Sequence, residues 1–316
     1  MASTSPERTT LDRIPRGARI AIVRLRSMGD CVLTTPAIEL LKRARPDVEI
    51  GVVVEDRFAG VFEGNPAVSV VLPPAYSAIF RFHPALCLNL HGGTRSKLLT
   101  LASRARIRAG FGHHQGSAIY HVRIPRAQDI LGVDRMVHTA EHLASAMFHL
   151  GVPAVEIPRA RIFSERLPET RPYAVIHATA AMPYKTWNPA GFLAVADCVA
   201  RERDLEPVFI GGAGDDLTFF RRYRVVAGAS FAHLKSLLAG ASLFVGNDSG
   251  PAHVACALGV PVVVLYGRLE HRIIWAPWRA EAARALASAG GISEIAVEEV
   301  LAAIRELAGP VRRSAP

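Results

Sequence analysis

The sequence predicts an α/β protein with two open, doubly wound parallel sheets, each covered by helices on both faces. Apolar strand-like segments alternate with helix-like segments along most of the 316 residues. The alternation forms two series, and the polar, proline-bearing segment 164–172 separates them as a linker would. A chain of 316 residues is long enough for two domains. Two domains of this class are expected to face each other across a cleft.

The first series predicts an N-terminal domain over 18–165. The predicted strands cover 18–25, 49–55, 68–72 and 86–90, and the predicted helices cover 30–45 and 135–150. Gly151 is expected to end the second of these helices. Residues 1–17 are polar and lack the apolar core of a secretory signal, so they predict a disordered lead-in.

The second series predicts a C-terminal domain over 172–316. The predicted strands cover 173–178, 207–212, 243–245 and 260–267, and the predicted helices cover 189–203, 230–239 and 297–309. The last helix is amphipathic and is a candidate to cross back onto the N-terminal domain. Its apolar face consists of Val297, Val300, Leu301, Ile304 and Leu307.

Three loops follow predicted strands at their carboxyl ends, which is where parallel sheets bind ligands. The loop RLRSMGDCVLTTPA, after the first strand, places Asp30 at the start of a helix. The loop HATAAMPYKTWNP contains Lys185 as its one cation. From spacing alone, Asp30 is equally well explained as an ordinary helix cap, and Lys185 as a surface lysine.

The third loop, VGNDSGPAH (245–253), predicts an anion-binding site. Ser249, Gly250 and Pro251 are residues that begin a helix: a capping side chain, a flexible joint and a proline that needs no amide partner. The small-residue helix that follows is expected to end at Gly259. Because the first amides of a helix have no partner inside it, they attract a phosphate placed at its start.

The net charge of +9 favours anionic partners: nucleic acid, a membrane surface or phosphorylated substrates. Residues 94–126 contain no acidic residue and seven basic ones: Arg95, Lys97, Arg104, Arg106, Arg108, Arg123 and Arg126. This cluster is either ordinary solvated surface or a patch that steers an anionic acceptor. Nucleic acid is disfavoured, because the cluster lacks interleaved aromatic residues for base stacking.

Composition also limits the compartment and the metal chemistry. Four cysteines (Cys31, Cys87, Cys198 and Cys256) lie far apart in sequence, so we expect small buried residues rather than disulfides or thiolate ligands. With no apolar run of the roughly 20 residues that a bilayer requires, the chain is expected to be a globular cytoplasmic protein. The run HTAEH matches an inverted zinc-protease pattern, yet no third ligand is apparent, and a polar helix face is the simpler interpretation.

Four segments together resemble the bacterial heptosyltransferases of glycosyltransferase family 9. They are IVRLRSMGDCVLTTPAIELLK, KTWNPAGFLAVAD, FIGGAGDD and LLAGASLFVGNDSGPAHVACALGVPVVVLYG. The resemblance covers most of residues 18–307. It implies a GT-B fold, with the sugar nucleotide held mainly by the C-terminal domain and the acceptor mainly by the N-terminal one. It also implies an inverting reaction that uses no metal or other cofactor, with ADP-heptose as the donor and lipopolysaccharide core as the acceptor, at or near the cytosolic face of the inner membrane.

The resemblance also implies roles for individual residues. Asp30 corresponds to the catalytic base, and Lys185 to the lysine that contacts the diphosphate together with the amides of Ser249 and Gly250. Asp248 is expected to organise its loop or bind a sugar hydroxyl, because a carboxylate repels a diphosphate. The remaining donor-side candidates are Thr179, His253 and the ribose-binding acid, Asp215 or Asp216. The acceptor-side candidates are Arg24, Arg26, Arg95 and His113.

The sequence departs from the family pattern after its last apolar strand. Arg268, Leu269 and Glu270 stand where small polar residues usually contact the donor sugar, and the altered segment extends to Arg272. A different donor sugar or acceptor, or a non-catalytic relative that binds sugar nucleotides, therefore stays open. A dinucleotide-dependent oxidoreductase is disfavoured, because RSMGD replaces the glycine fingerprint at the first turn.

Overall fold

The computed structural model describes residues 8–307. The chain divides into two compact units, Met1–Pro158 and Arg159–Pro316. Each unit contains one six-stranded sheet in which all strand pairs are parallel. The division falls shortly before the predicted linker 164–172, in a stretch without regular secondary structure.

The first sheet has the strand order β3-β2-β1-β4-β5-β6. Its strands are β1 (Arg19–Val23), β2 (Glu49–Val53), β3 (Val70–Leu72), β4 (Leu86–Asn89), β5 (Ile107–Phe111) and β6 (Val122–Ile124). Because the order reverses beside β1, the loops after β1 and β4 flank a topological switch point, where ligands of open α/β sheets bind.

Five helices accompany the first sheet in the described part of the chain. They are α1 (Met28–Ala44), α2 (Tyr76–Phe82), α3 (Thr94–Ala102), α4 (Ala127–Leu131) and α5 (Thr139–Leu150). Helices α1 and α5 pack against each other. Gly151 follows α5 in the left-handed conformation, as the sequence predicted.

The lead-in is a correction to the sequence-based expectation. Residues 1–7 lie outside the described residues, but residues 8–17 are folded rather than disordered. Leu11 and Ile14 are buried, and the guanidinium of Arg45 donates hydrogen bonds to the carbonyls of both residues. Two apolar side chains in a polar segment were enough to attach it to the first unit.

The second sheet has the order β12-β11-β10-β7-β8-β9. Its strands are β7 (Tyr173–His177), β8 (Glu206–Gly211), β9 (Arg224–Ala227), β10 (Leu243–Asn247), β11 (Val262–Tyr266) and β12 (Ala283–Ala287). The order reverses between β7 and β10. The loops after these two strands, which contain Lys185 and Ser249, therefore flank the switch point of this sheet.

The helices of the second unit are α6 (Pro189–Arg203), α7 (Phe231–Gly240), α8 (Gly250–Ala257), α9 (Leu269–Trp275) and α10 (Val297–Leu307). The end of the predicted last helix, 308–309, lies outside the described residues. Helix α10 packs on α6, β11 and β12 of its own unit, where Val300, Ala303 and Ile304 join the core. Gly259 follows α8 with a φ of 83°.

The burial of the cysteines and the hydropathy of the helices bear on two further sequence predictions. All four cysteines are buried and free, as expected. Burial raises the pKa of Cys31 and Cys256 to about 12, so these thiols are inert at neutral pH. Among residues 8–307, no helix combines the length and the hydropathy needed to cross a bilayer.

Candidate functional site

The VGNDSG turn of the second unit is held in place by Asn247, a residue to which the sequence assigned no role. Asn247 ends β10 and is fully buried. Its Nδ2 donates to the carbonyl of Ala178 at 3.0 Å, and its Oδ1 accepts from the amide of Trp187 at 3.1 Å. One side chain thus fastens both ends of the loop that contains Lys185, because a buried amide must satisfy both its donor and its acceptor.

Lys185 and Asp248 form a largely buried ion pair. The Lys185 Nζ donates to Asp248 Oδ2 at 2.6 Å, with the side chains 20% and 5% exposed. The same ammonium lies 5.2 Å from the centre of the Trp275 ring. An ammonium has three protons, so Lys185 keeps donors for a ligand while Asp248 fixes its position. Through this pair Asp248 links the loop after β10 to the loop of Lys185.

Helix α8 begins two residues after Asp248, but Ser249, the residue before the helix, differs from the prediction. Ser249 occupies the cap position without a side-chain capping hydrogen bond. Its hydroxyl instead lies 3.0 Å from Nδ1 of His177. The predicted side-chain cap is therefore wrong, and an imidazole competes for the hydroxyl. Pro251 stands in the first turn as expected, and His253 is buried on α8.

A chain of polar side chains continues from Ser249 to the loop after β8. His177 Nε2 lies 3.4 Å from the hydroxyl of Thr179, and that hydroxyl donates to Asp215 Oδ2 at 2.5 Å. The same carboxylate oxygen accepts from the amide of Gly212 at 2.8 Å. The Thr179 hydrogen bond lowers the pKa of Asp215, and burial lowers the pKa of His177 to about 4. Asp215 is thus anionic and His177 neutral at pH 7.

Of the two acidic residues left open by the sequence, only Asp215 joins this chain. Asp216 Oδ1 accepts from the amide of Thr218 at 2.9 Å and so serves the turn that follows. Asp215 is also exposed, so a ligand can approach its carboxylate. The geometry favours Asp215 as the residue that a bound hydroxyl would reach.

The altered segment 268–272 consists of the cap residue of α9 and the first part of that helix. It packs against the loop that contains Lys185, called the lysine loop below. The Arg268 guanidinium lies 4.7 Å above the ring of Tyr184. The ring of His271 lies 5.9 Å from Tyr184 and 4.9 Å from Trp275. Gly267, just before α9, has no room for a Cβ because the backbone carbonyl of Tyr184 occupies that space. Burial and the nearby Lys185 lower the pKa of His271.

In the first unit, Asp30 lies at the start of α1 and is fixed from two sides. It is the third residue of a capping box, and its Oδ2 accepts from the amide of Ser27 at 3.2 Å. Its Oδ1 pairs with the Arg24 guanidinium at 2.8 Å, and the Asp30 side chain stays 29% exposed. Arg24 itself is buried and donates to the Leu90 carbonyl at 2.6 Å. Asp30 is therefore the third residue of the helix rather than its cap residue, and the capping box and Arg24 together orient its carboxylate.

The other acceptor-side candidates are spread over the same edge of the first sheet. Arg26 is exposed directly before α1, and Arg95 lies 4.0 Å from Glu55. His113 follows β5, and its ring lies 4.4 Å from that of His114. Partial burial, followed by the charge of Arg126, lowers the pKa of His113.

The run HTAEH has structural contacts at each of its three motif positions. His138 caps α5 by accepting from the amide of Ala140 at 3.0 Å, and Glu141 pairs with Arg135 at 2.7 Å. His142 stacks on Phe111 with ring centres 4.1 Å apart. Within residues 8–307, no group of three or more His, Cys, Asp or Glu side chains is arranged to hold a metal ion.

Two doubly wound parallel sheets, with candidate ligand groups at the switch point of each, are the architecture of the GT-B fold. Residues 85–294 match the family described as glycosyltransferase family 9 (heptosyltransferase). The chain belongs to this family and is a glycosyltransferase. The resemblance and the fold class inferred from the sequence are confirmed.

Curated relatives have names that agree with this family. Lipopolysaccharide heptosyltransferase 3 of Escherichia coli is 28% identical over 293 residues, covering 80% of this chain and 84% of the relative. Lipopolysaccharide heptosyltransferase 1 of Pseudomonas aeruginosa is 28% identical over 291 residues, covering 79% and 78%. The chain is thus similar to lipopolysaccharide heptosyltransferases over most of its length.

Solved structures share the fold at lower sequence identity. A family 9 glycosyl transferase from Veillonella parvula superposes with a TM-score of 0.78 at 23% identity, covering 92% of this chain and 97% of the other. An E. coli heptosyltransferase solved with ADP gives a TM-score of 0.75 at 20% identity, covering 92% and 100%.

Proposed function

We propose that this glycosyltransferase moves a heptose from ADP-heptose to a lipopolysaccharide core acceptor, with inversion and without a metal ion. The observation that carries the proposal is the position of Lys185. It lies in a loop at the switch point of the second sheet and is paired with Asp248, which lies just before the N-terminus of α8. A cation and a helix start side by side supply the positive charge that a diphosphate leaving group requires.

The second unit would hold the donor. The two remaining Lys185 protons and the amides of Ser249 and Gly250 would bind the diphosphate oxygens. Asp248, already neutralised by Lys185, adds little repulsion there. Asp215 would bind the ribose, since an exposed carboxylate after a strand accepts vicinal hydroxyls. His253 and Thr179 complete the proposed donor contacts.

The first unit would bind the acceptor and supply the base. Asp30 takes the proton of the acceptor hydroxyl, whose oxygen then bonds to the anomeric carbon. The bond from that carbon to the diphosphate breaks, and ADP leaves with the electron pair. Because attack occurs opposite the leaving group, the configuration inverts. Arg26, Arg95 and His113 would contact anionic groups of the acceptor, while Arg24 orients Asp30.

The relatives support heptose as the sugar and ADP as the carrier. They are named lipopolysaccharide heptosyltransferases, and one structural neighbour was solved with ADP. The segment after β11 is the observation that supports the alternative, a different donor sugar on the same fold. In this segment Arg268 stands where the family pattern has a small polar residue, and its guanidinium lies over the ring of Tyr184 on the lysine loop.

The test is ADP release from ADP-heptose in the presence of heptose-deficient lipopolysaccharide. The wild-type chain is expected to release ADP equally with and without EDTA. Asp30→Asn should lower kcat by about 10²- to 10⁴-fold, because it removes the base while leaving an oxygen to accept from Ser27. The control is Asp129→Asn, an exposed carboxylate of α4 in the same unit, which should leave kcat unchanged.

Three results would contradict parts of this proposal. No ADP release with any acceptor would exclude the heptosyltransferase activity, and release from another sugar nucleotide would support the alternative donor. Activity abolished by EDTA and restored by a divalent cation would exclude metal independence. Full activity in Asp30→Asn would exclude Asp30 as the base.

A further part of the proposal is contact with an anionic membrane, where a lipid-linked acceptor would reside. Helices α2 and α3 pack against each other and expose four apolar side chains: Tyr76, Phe80, Leu98 and Leu101. Each pair lies on one helix face, at spacings of four and three residues. The Arg104 guanidinium lies 5.2 Å from the Phe80 ring, within the basic stretch 94–126. Apolar side chains among basic ones match an anionic lipid surface at the cytoplasmic side of the inner membrane.

Sedimentation with phosphatidylglycerol-containing vesicles tests this α2–α3 surface. The double variant Phe80→Ser with Leu98→Ser is expected to bind the vesicles about tenfold more weakly, because it removes two large apolar groups from the contact. Binding should also weaken with added salt. The matched control is Phe219→Ser, which changes an exposed aromatic residue of the second unit. Equal binding by the double variant and the control would contradict membrane contact through this surface.

A further inference from the structure

Four side chains form a continuous polar chain across the switch point of the second sheet. Ser249 contacts His177 Nδ1 at 3.0 Å, and His177 Nε2 contacts Thr179 at 3.4 Å. Thr179 donates to Asp215 at 2.5 Å. The chain joins the two places where the proposed donor would be held, the start of α8 and the loop after β8. His177 is buried and lies between these two places, in contact with Ser249 on one side and with Thr179 on the other.

The hydroxyl of Thr179 determines the direction of every hydrogen bond in the chain. A hydroxyl has one proton, and Thr179 gives it to a carboxylate, which can only accept. Thr179 can therefore only accept from His177, so the imidazole proton is on Nε2. Neutral His177 then presents a bare Nδ1, which accepts the proton of Ser249. In this state Ser249 donates to His177 and has no proton for a phosphate at α8.

A ribose would disturb this arrangement at Asp215. Oδ2 already accepts two hydrogen bonds, from Thr179 and from the amide of Gly212, so both of its lone pairs are used. A ribose diol that donates to both carboxylate oxygens must displace one of these donors. The amide of Gly212 is part of the backbone turn, whereas the Thr179 hydroxyl rotates freely. Thr179 is therefore the donor that leaves.

We propose that His177 is a positioning residue that couples ribose binding at Asp215 to diphosphate binding at Ser249 by exchanging its imidazole tautomer. This inference rests on the proposed donor function. Once ribose displaces Thr179, the Thr179 proton turns to Nε2 of His177. The imidazole loses its Nε2 proton to water and gains one from water on Nδ1, so its charge does not change. Nδ1 now donates to Ser249, which releases the Ser249 proton to a diphosphate oxygen.

Calorimetric binding of ADP and of inorganic pyrophosphate tests the coupling. Ser249→Ala should weaken ADP binding about tenfold, the effect of one hydrogen bond to a charged group. It should change pyrophosphate binding less than twofold, because pyrophosphate has no ribose to reverse the direction of the hydrogen bonds between Asp215 and Ser249. An equal loss for both ligands would overturn the coupling. Absence of ADP binding by the wild-type chain would overturn the proposed donor function and the coupling with it.

A double-mutant cycle tests whether Thr179 and Ser249 act together through His177 or independently of each other. In Thr179→Val, which replaces the hydroxyl by a methyl group, nothing holds the proton on Nε2, so Ser249→Ala should weaken ADP and pyrophosphate binding by the same factor. In Thr179→Ser, which keeps the hydroxyl, the loss should again be confined to ADP. A loss still confined to ADP in the valine background would show that Thr179 does not set the tautomer of His177, and the coupling would be wrong.

Nitrogen-15 spectra of labelled histidine give a direct signature that a structural role would not produce. The His177 signals, assigned by their loss in His177→Gln, should show a proton on Nε2 in the free protein and with pyrophosphate. With ADP the proton should appear on Nδ1. An Nε2 proton in the ADP complex would overturn the proposal.

Discussion

At the residue scale, the loop of Lys185 depends on the packing of one tryptophan two residues later. Trp187 is fully buried, and its Nε1 donates to the Ile295 carbonyl at 2.9 Å. Its ring lies where a Cβ at Gly191 would be placed, with a closest approach of 2.5 Å. The ring cannot move aside, because its indole nitrogen is bonded and the core around it is closed. Gly191 is therefore required by contact.

Gly191→Ala should lower the free energy of unfolding by about 1–2 kcal/mol. Overpacking of about 1–3 kcal/mol exceeds the gain of up to about 1 kcal/mol that alanine brings to a helix. Urea unfolding followed by tryptophan fluorescence measures the change. The control is Gly214→Ala, where an added Cβ meets nothing within 4 Å. A stability loss confined to Gly214→Ala, or none in Gly191→Ala, would contradict this account.

The sequence predicted those site residues whose chemistry is visible in a short run. Asp248 follows a strand and precedes a helix, and organising this loop was one of the two roles expected for it. Asn247 and His177 were missed, because each ends an apolar strand and looks like part of it. Their importance comes from contacts 60 and 72 residues away in sequence. A polar residue as the last position of a buried parallel strand was the available signal.

At the element scale, the sequence predicted the central strands and the long helices well. Helix α6 was predicted at its observed bounds, Pro189–Arg203, because Asn188 and Pro189 mark its start. The strands β5, β6, β9 and β12 were missed. Each contains an arginine, and β6, β9 and β12 are also partly exposed, so they lack the apolar run of a buried parallel strand. Helices of five to seven residues, α2, α4 and α9, are too short to show a helical period.

The element α9 also gives a physical reason for the departure from the family pattern. Arg268 and His271 both contact Tyr184 on the loop of Lys185. The backbone of that loop approaches so closely that only glycine fits at position 267. The segment 268–272 is therefore packed against the lysine loop rather than loosely inserted. If the release assay shows a donor sugar other than heptose, we expect these contacts to be the cause of the altered specificity.

At the scale of the whole molecule, each unit contains a histidine that is neutral at pH 7: the partly buried His142 in the first unit and the buried His177 in the second. Burial lowers the pKa of His142 in the first unit and of His177 in the second, both from 6.5 to about 4. In the unfolded chain both take up a proton near pH 6.5, so between about pH 6.5 and 4 the unfolded state binds more protons. Stability therefore falls as the pH is lowered through this window. Above pH 6.5 neither residue contributes to the pH dependence.

The loss can be assigned to one unit, because all three tryptophans, Trp187, Trp275 and Trp278, lie in the second unit. Between pH 7.5 and 5.0, each histidine should cost about 2 kcal/mol of unfolding free energy. His142→Phe keeps the stacking on Phe111 and removes the titration. In urea unfolding it should reduce the pH-dependent loss seen by far-ultraviolet circular dichroism, which reports both units. It should leave the loss seen by tryptophan fluorescence unchanged. An unaltered circular dichroism loss in His142→Phe would show that His142 is not the titrating group of the first unit.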